Sequence, residues 1–335
     1  MTATPGRVQA PERRGRSMAV SIQRVVHVNV NCSDLERSLR FYRDFVGLEP
    51  LSHTRPVPQE GAGFGLDGEV QWDAHLLHDA RGILSPAIDL LEWKRPRPTG
   101  RPYAAANHLG MFRVCLLVPD VDEVYARAQR QGVPCQSPPT RIPVIPERDL
   151  VVKALFCRDP DGTLVEFIEQ PGELRLIHVN VNCRDLARSL DWYQRVLGLE
   201  VRGESHPGPV AGAAFGLEGD VEWDARFLFP PGQDDFAIDL LEWKRPGPTG
   251  HPYPCPNHLG LYRMAFLVED IRAGHAALER QGVDPAPPVF LDMGPDLPIP
   301  GVWALFFPDP DGTCLELIEA PKLEDRNVPQ RARGR

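Results

Sequence analysis

Along residues 26–31 apolar and polar side chains alternate, with Val26, Val28 and Val30 on one parity and His27, Asn29 and Asn31 on the other. A period of two is that of a β-strand, whose successive side chains point to opposite faces. The strand is predicted to turn its valines toward helices and its polar side chains toward a pocket. The period then changes. Leu35, Leu39, Tyr42 and Val46 recur at i, i+4, i+7 and i+11, one stripe of a helix, with Ser33 and Glu36 in a capping-box pattern before it and Gly47 as a stop. A second stripe, Val121, Val124, Tyr125 and Ala128, follows the apolar run "FRVCLLV" and stops at Gly132. Each helix is followed by several strand-like runs, so two βαβββ modules are predicted. The segment Asp159–Gly162, "DPDG", lies between apolar runs and predicts a hairpin turn with glycine at its strained position.

The whole pattern then repeats. "HVNVNCSDLERSLRFYRDFVGLE" is matched 151 residues later by "HVNVNCRDLARSLDWYQRVLGLE", and after loss of one residue "AIDLLEWKRPRPTGRPY" is matched 150 residues later by "AIDLLEWKRPGPTGHPY". A period this long is a duplicated domain rather than a solenoid. The second unit repeats the helix stripes at Leu186, Leu190, Tyr193, Leu197 and Gly198, and at Ile271, His275, Leu278 and Gly282. The predicted fold class is α+β, a tandem duplication with four βαβββ modules forming two cupped mixed sheets. Unit 1 is residues 22–172, with modules 22–100 and 105–172; unit 2 is residues 173–321, with modules 173–250 and 255–321. The short junction "QPGEL" implies that each unit pairs its own two modules. Residues 1–21 and 322–335, rich in Pro, Arg and Gly, are expected to be disordered tails.

Composition narrows the function classes. A formal charge of -9 and a pI near 5.6 argue against a nucleic-acid surface. No apolar run reaches the roughly 18 residues of a membrane span, and the N-terminal stretch lacks the apolar core of a signal peptide. The 7 cysteines are scattered and never spaced as CxxC, which indicates neither a disulfide framework nor a zinc ribbon and fits a reducing cytoplasm.

The opening strand with His seven residues before an Asp-Leu, the helix ending "FY…GL", the second-module "DVD" and the closing "DPDGTLVEF" together resemble the vicinal oxygen chelate superfamily. That family includes glyoxalase I, bleomycin-resistance proteins, methylmalonyl-CoA epimerase and extradiol ring-cleaving dioxygenases. The resemblance covers roughly 300 residues. It implies cups of paired modules, each commonly holding a divalent metal that chelates two neighbouring substrate oxygens. Carried over residue by residue, it implies His27 and His178 as the first metal ligands, Asp89 and Asp239 as the second, and Glu166 and Glu316 as the fourth and as catalytic carboxylates. The third position, often His, is occupied here by Arg113 and Arg263.

Imidazole and carboxylates suit Fe, Mn, Ni, Co or Zn. Arginine has five donors, no acceptor and a permanent charge, so it either clamps a substrate anion or pairs with the carboxylates and leaves a metal-free pocket. Asn29, Asn31, Asn180 and Asn182 share the polar strand face and are expected to bind substrate. Trp93 and Trp243, on the parity of Asp89 and Asp239, either stack on a flat ligand or pack the rim. His108 and His258, in the repeated "NHLG", are read as turn or lid residues, with substrate contact as the alternative.

Three functions are consistent with this set. The first is a metal-assisted lyase or isomerase acting on a small oxygenated metabolite, in which a carboxylate moves the proton and the Arg holds the anionic end. The second is an extradiol-type or other iron dioxygenase. The third is a drug- or metabolite-binding resistance protein without catalysis. Each calls for a small-molecule partner, with the chain a monomer or homodimer.

Overall fold

The computed structural model describes residues 19–294, 297, 299 and 301–320. Most of both expected tails lies outside these residues. Residues 19–21 lie inside them, and Val20 is buried, its N–H donating to the Val196 carbonyl at 2.8 Å.

Module 1 comprises β1 (Ile22–Asn31), α1 (Leu35–Arg40, continued by a wider π-type turn over Phe41–Val46), β2 (Glu49–Thr54), β3 (Gln59–Glu60), β4 (Glu69–His78) and β5 (Ala87–Arg95). Module 2 has β6 (Gly110–Val118), α2 (Val121–Gln131), β7 (Thr140–Ile145), β8 (Leu150–Arg158) and β9 (Leu164–Glu169). Module 3 repeats the first as β10 (Arg175–Asn182), α3 (Leu186–Leu197), β11 (Glu200–Ser205), β12 (Val210–Ala211), β13 (Asp220–Phe229) and β14 (Ala237–Arg245). Module 4 repeats the second as β15 (Gly260–Val268), α4 (Ile271–Arg280), β16 (Val289–Asp292), β17 (Gly301–Pro308) and β18 (Cys314–Glu319).

The helix stripes are buried as their period predicts except at Tyr125, Leu190 and His275, which are half-buried, but the first cap differs. Asp34, not Ser33, is the N-cap, its carboxylate accepting from Arg37 N at 2.9 Å. Ser33 is instead bound to the DPDG turn, with its Oγ 2.6 Å from Asp161 Oδ1. Asp159 accepts from three backbone N–H groups of that turn and from the buried Tyr42 hydroxyl, while Gly162 takes φ 103°. Helix α1 thus docks on the turn of its own unit, and Tyr193 meets Asp309 in the same way at 3.0 Å.

The sheets do not follow the units. One runs β16-β17-β18-β15-β1-β5-β4-β2 with β3 beside β4, and the other runs β11-β13-β14-β10-β6-β9-β8-β7 with β12 beside β13. Module 1 shares a sheet with module 4, and module 2 with module 3. This corrects the expectation that each unit pairs its own modules. The short connector 170–174 runs from β9 into β10, so it holds modules 2 and 3 together in one sheet, and the longer 96–109 carries the chain from one sheet to the other.

The two connectors 96–109 and 246–259 clasp each other. Thr99 N donates to Asn257 O and Thr249 N to Asn107 O, both at 2.9 Å. Tyr103 stacks on Tyr253 at 3.9 Å, and His108 and His258 stack outside them at 3.9 Å each. A Cβ on Gly250 would lie 2.1 Å from the His108 ring and one on Gly100 2.0 Å from the His258 ring, so glycine is required under each imidazole. The repeated histidines are therefore turn residues of a structural clasp, not of a lid.

One apolar core, including Val28, Val30, Val179 and Val181, lies between the sheets and the helices, while two smaller clusters fill the cups. Val26 departs from its predicted side. A register shift between Val25 and His27 sends Val25 into the helix-side core and leaves Val26 against the cup cluster. No helix among the described residues is long and apolar enough to cross a membrane.

Candidate functional site

The seam of each sheet brings four chemistry-bearing strands together. β1 lies between β5, which is parallel and places Asp89 beside Asn29, and β15, which is antiparallel, with β18 next to β15. His27, Asp89, Arg263 and Glu316 meet there. By the same register His178, Asp239, Arg113 and Glu166 meet at the seam of β10, β14, β6 and β9. The carried-over sets had joined Glu166 to His27 and Glu316 to His178. The exchange of modules gives each Glu to the other unit's His.

Within the first centre the Arg263 guanidinium spans both carboxylates. Its Nε donates to Glu316 Oε2 at 2.8 Å and its Nη2 to Asp89 Oδ2 at 2.9 Å. His27 Nε2 lies 3.3 Å from that Glu316 oxygen and 3.8 Å from Asp89 Oδ2, outside hydrogen-bond geometry but well within electrostatic reach. The second centre matches: Arg113 donates to Glu166 Oε2 at 2.7 Å and Asp239 Oδ2 at 2.9 Å, and His178 Nε2 lies 3.4 Å from Glu166. All eight side chains are buried.

Charge pairing inside this buried site governs protonation. Burial alone would raise the Glu166 carboxyl, but the Arg113 charge, with His178 beside it, carries it down to about 2. Glu316 is lowered by the same balance, with burial opposed by Arg263 and His27. Asp239 goes the other way, because burial there outweighs Arg113 and His178. Both guanidinium groups stay charged, since the attraction of two carboxylates exceeds the burial penalty.

The two Asn of each strand have separate uses. Asn29 Nδ2 donates to Asp89 O and Oδ2 at 3.2 Å, orienting that carboxylate, and Asn180 does the same for Asp239. Asn31 is instead saturated by the fold. Its Nδ2 donates to the carbonyls of Pro256 and His258 at 2.7 Å, and its Oδ1 accepts from Trp93 Nε1 at 3.2 Å. Asn182, Trp243, Ala106 and His108 repeat this. Asn31 and Asn182 thus anchor the clasp rather than a ligand, and Trp93 and Trp243 are buried pegs in the cup clusters. Phe64, on the turn after β3, packs against both Trp93 and Phe306, covering the first cup with aromatic rings, and Phe215 lies on Trp243 and Phe156 in the second.

Sequence reasoning missed Cys115. It faces His178 across the β6–β10 seam, and its sulfur, a Glu166 oxygen and a His178 nitrogen lie within 4.8 Å of one another. Ala265 occupies the matching place beside His27, so the two centres are not identical. Strand parity offered the signal, because Cys115 stands two residues from Arg113.

The family model of the Glyoxalase/Bleomycin resistance protein/Dioxygenase superfamily matches residues 24–167 and again 175–317. The chain belongs to this superfamily. Among solved structures, glyoxalase I from Zea mays is 18% identical, with a TM-score of 0.60 over 88% of this chain and 92% of that one. A putative dioxygenase from Bacillus subtilis subsp. subtilis is 13% identical, with a TM-score of 0.57 over 91% of this chain and 87% of that one. At such identities the likeness to each is one of fold. Among curated proteins none matches the chain in sequence. What the superfamily member presents at its seams is therefore read from its own residues.

Proposed function

We propose that this glyoxalase-superfamily chain is an enzyme of the lyase or isomerase kind that moves a proton on a small oxygenated anion at two buried centres. One observation carries the reading. Of the 12 buried side-chain polar atoms without a hydrogen-bond partner among the described residues, six are the same three atoms repeated: Nε2 of His27 and His178, Oδ1 of Asn29 and Asn180, and Nη1 of Arg263 and Arg113. Unpaired buried polar groups are unfavourable by about 1–3 kcal/mol each; the hydroxyls of Ser38 and Ser189 and of Thr163 and Thr313 are repeated as well, so it is the convergence of these three unlike atoms at one seam, twice, that marks a place kept for a polar guest. In this reading Nη1 donates to a substrate oxygen and steadies the negative charge that develops on it. The imidazole, with Glu316 or Glu166 beside it, takes the proton and returns it.

The divalent transition metal implied by the family does not fit the His–Asp–Glu sets as they are packed. The carboxylate oxygens nearest each Nε2 already accept from a permanently charged guanidinium at 2.7–2.9 Å. A dication there would meet that charge at short range. In the second centre Cys115 adds a further ligand atom, but burial keeps its thiol far above its usual pKa and Glu166 is still held by Arg113. No step is therefore routed through a metal, and the iron-dioxygenase reading has less support than proton transfer. In this reading the chain acts in a reducing cytoplasm, as a monomer or homodimer, on a small molecule.

The test offers a panel of small 2-oxo and 2-hydroxy acids to the full chain in deuterated water, with NMR following exchange at the carbon next to the carbonyl. Elemental analysis of the same preparation accompanies it. Enzyme-dependent exchange that is insensitive to chelator is expected. Tight binding without exchange would favour the sequestering protein, and about one equivalent of transition metal per centre would overturn the metal-free reading.

A further inference from the structure

We propose that Cys135 and Cys157 form an oxidisable dithiol site, closed to a disulfide by a peroxide, on the helix-side face of the second sheet only, behind the cup. Both are free thiols, yet their sulfurs lie 3.1 Å apart. The backbone explains the approach. Cys135 and Cys157 are opposite each other in an isolated antiparallel bridge, flanked by Gln136 N donating to Phe156 O and Arg158 N donating to Pro134 O, both at 2.8 Å. Bonds that flank a pair rather than join it define the non-hydrogen-bonded position, where Cα atoms come to about 4.5 Å and side chains are closest. A disulfide spans Cα separations of about 4.4–6.8 Å with sulfurs about 2.05 Å apart. The sulfurs therefore need to close by only about 1 Å, within the reach of small side-chain rotations.

The two thiols have unequal roles. Cys157 is fully buried at the end of β8, while Cys135 is half-buried and reachable. Either sulfur can be the donor of their contact; it lowers the Cys135 pKa against the effect of burial, while the same contact and deeper burial raise that of Cys157. Cys135 is thus the nucleophile. Its thiolate attacks one peroxide oxygen, the O–O bond breaks, and the departing hydroxide takes up a proton to leave as water, giving a sulfenic acid. The Cys157 sulfur then attacks the Cys135 sulfur, the S–O bond breaks, and a second water leaves with the Cys157 proton. Two thiols and one hydrogen peroxide become one disulfide and two waters.

The site is not part of the duplicated architecture. Pro285 and Phe307 occupy the matching places in unit 2. The link would pin residues 133–136 to β8 one residue from Phe156, which is opposite Glu166 in the β8–β9 register.

The experiment treats the reduced full-length protein with hydrogen peroxide, alkylates the remaining thiols under denaturing conditions, and maps tryptic peptides without reductant. The expected product joins QGVPCQSPPTR (residues 131–141) to ALFCR (154–158), lowers the titratable thiols from 7 to 5, and reverts with dithiothreitol. In Cys157→Ser, dimedone should trap Cys135 as the sulfenic acid. Recovery of both peptides as separate alkylated species while other cysteines oxidise would overturn the proposal. So would Cys135 passing to sulfinic acid without the link.

Discussion

Replacing Arg263 by Met removes the one group that neutralises two buried carboxylates while nearly preserving side-chain length. Glu316 and Asp89 have side chains 2% and 8% exposed and accept from Arg263 at 2.8 and 2.9 Å. Breaking a buried pair by deleting one partner costs about 3–5 kcal/mol, because the charge left behind stays out of water. With an unfolding entropy of about 2.1 cal/mol/K per residue over roughly 280 residues, 1 kcal/mol corresponds to about 1.7 °C, so Tm should fall by about 5–8 °C at pH 7. The loss should shrink toward pH 5, since carboxyls deprived of the guanidinium and still buried take up a proton more readily. Arg263→Lys should fall between, keeping the charge but not the two-pronged geometry. Calorimetry from pH 5 to 8 reads all three. A Met variant within 1 °C of the parent at every pH would mean that Arg263 is not what compensates these carboxylates.

Three further outcomes follow from the same geometry. Residues 22–172 expressed alone should be a dimer by sedimentation, since β1 and β6 each lack their partner strand within one unit and can supply each other's in a pair of copies; a well-folded monomer would contradict the exchanged pairing. Asn31→Ala should lower stability by about 1–3 kcal/mol through the Pro256 and His258 carbonyls and Trp93 indole left unpaired, without changing the affinity of any ligand; a weakened ligand with unchanged Tm would reassign Asn31 to the site. Glu166, held at about 2 against an ordinary 4.5, contributes stability that is complete above about pH 4.5 and is lost as pH falls through 2. Glu166→Gln should therefore be less stable than the parent at pH 7, with the gap in Tm narrowing on acidification, and a constant gap would count against the depressed carboxyl.

Much of this was legible in the chain. Strand parity placed His27 and Asn29 on the cup face, the family resemblance put Asp89 and an Arg there, though Arg113 of the same unit and not Arg263, and helix period placed Leu35, Leu39, Tyr42 and Val46 on a buried stripe. The pairing of modules was not legible, and for a physical reason. The two units are so alike at the seams that Glu166 and Glu316 offer the same carboxylate on the same strand, and either partner satisfies the local pattern. Connector length held the answer, but its short span was read as a barrier to exchange rather than as the join between modules 2 and 3. Parity also could not foresee that Asn31 would be claimed by carbonyls 225 and 227 residues away, because its partners have no pattern of their own.

The strand exchange also sets a timetable for synthesis. The seam of the second cup joins Arg113 to Asn180, so it can close soon after module 3 emerges, whereas β1 waits for a strand whose Val268 pairs with Ile22. At about 5–20 residues per second, roughly 10–30 s separate the completion of β5 from the arrival of β15. Throughout that interval the nascent chain carries one side of β1 as an open hydrogen-bonding edge, a template for any other unfinished copy on the same message. Slow codons placed between residues 96 and 259 should therefore lower soluble yield more than the same codons placed after residue 320.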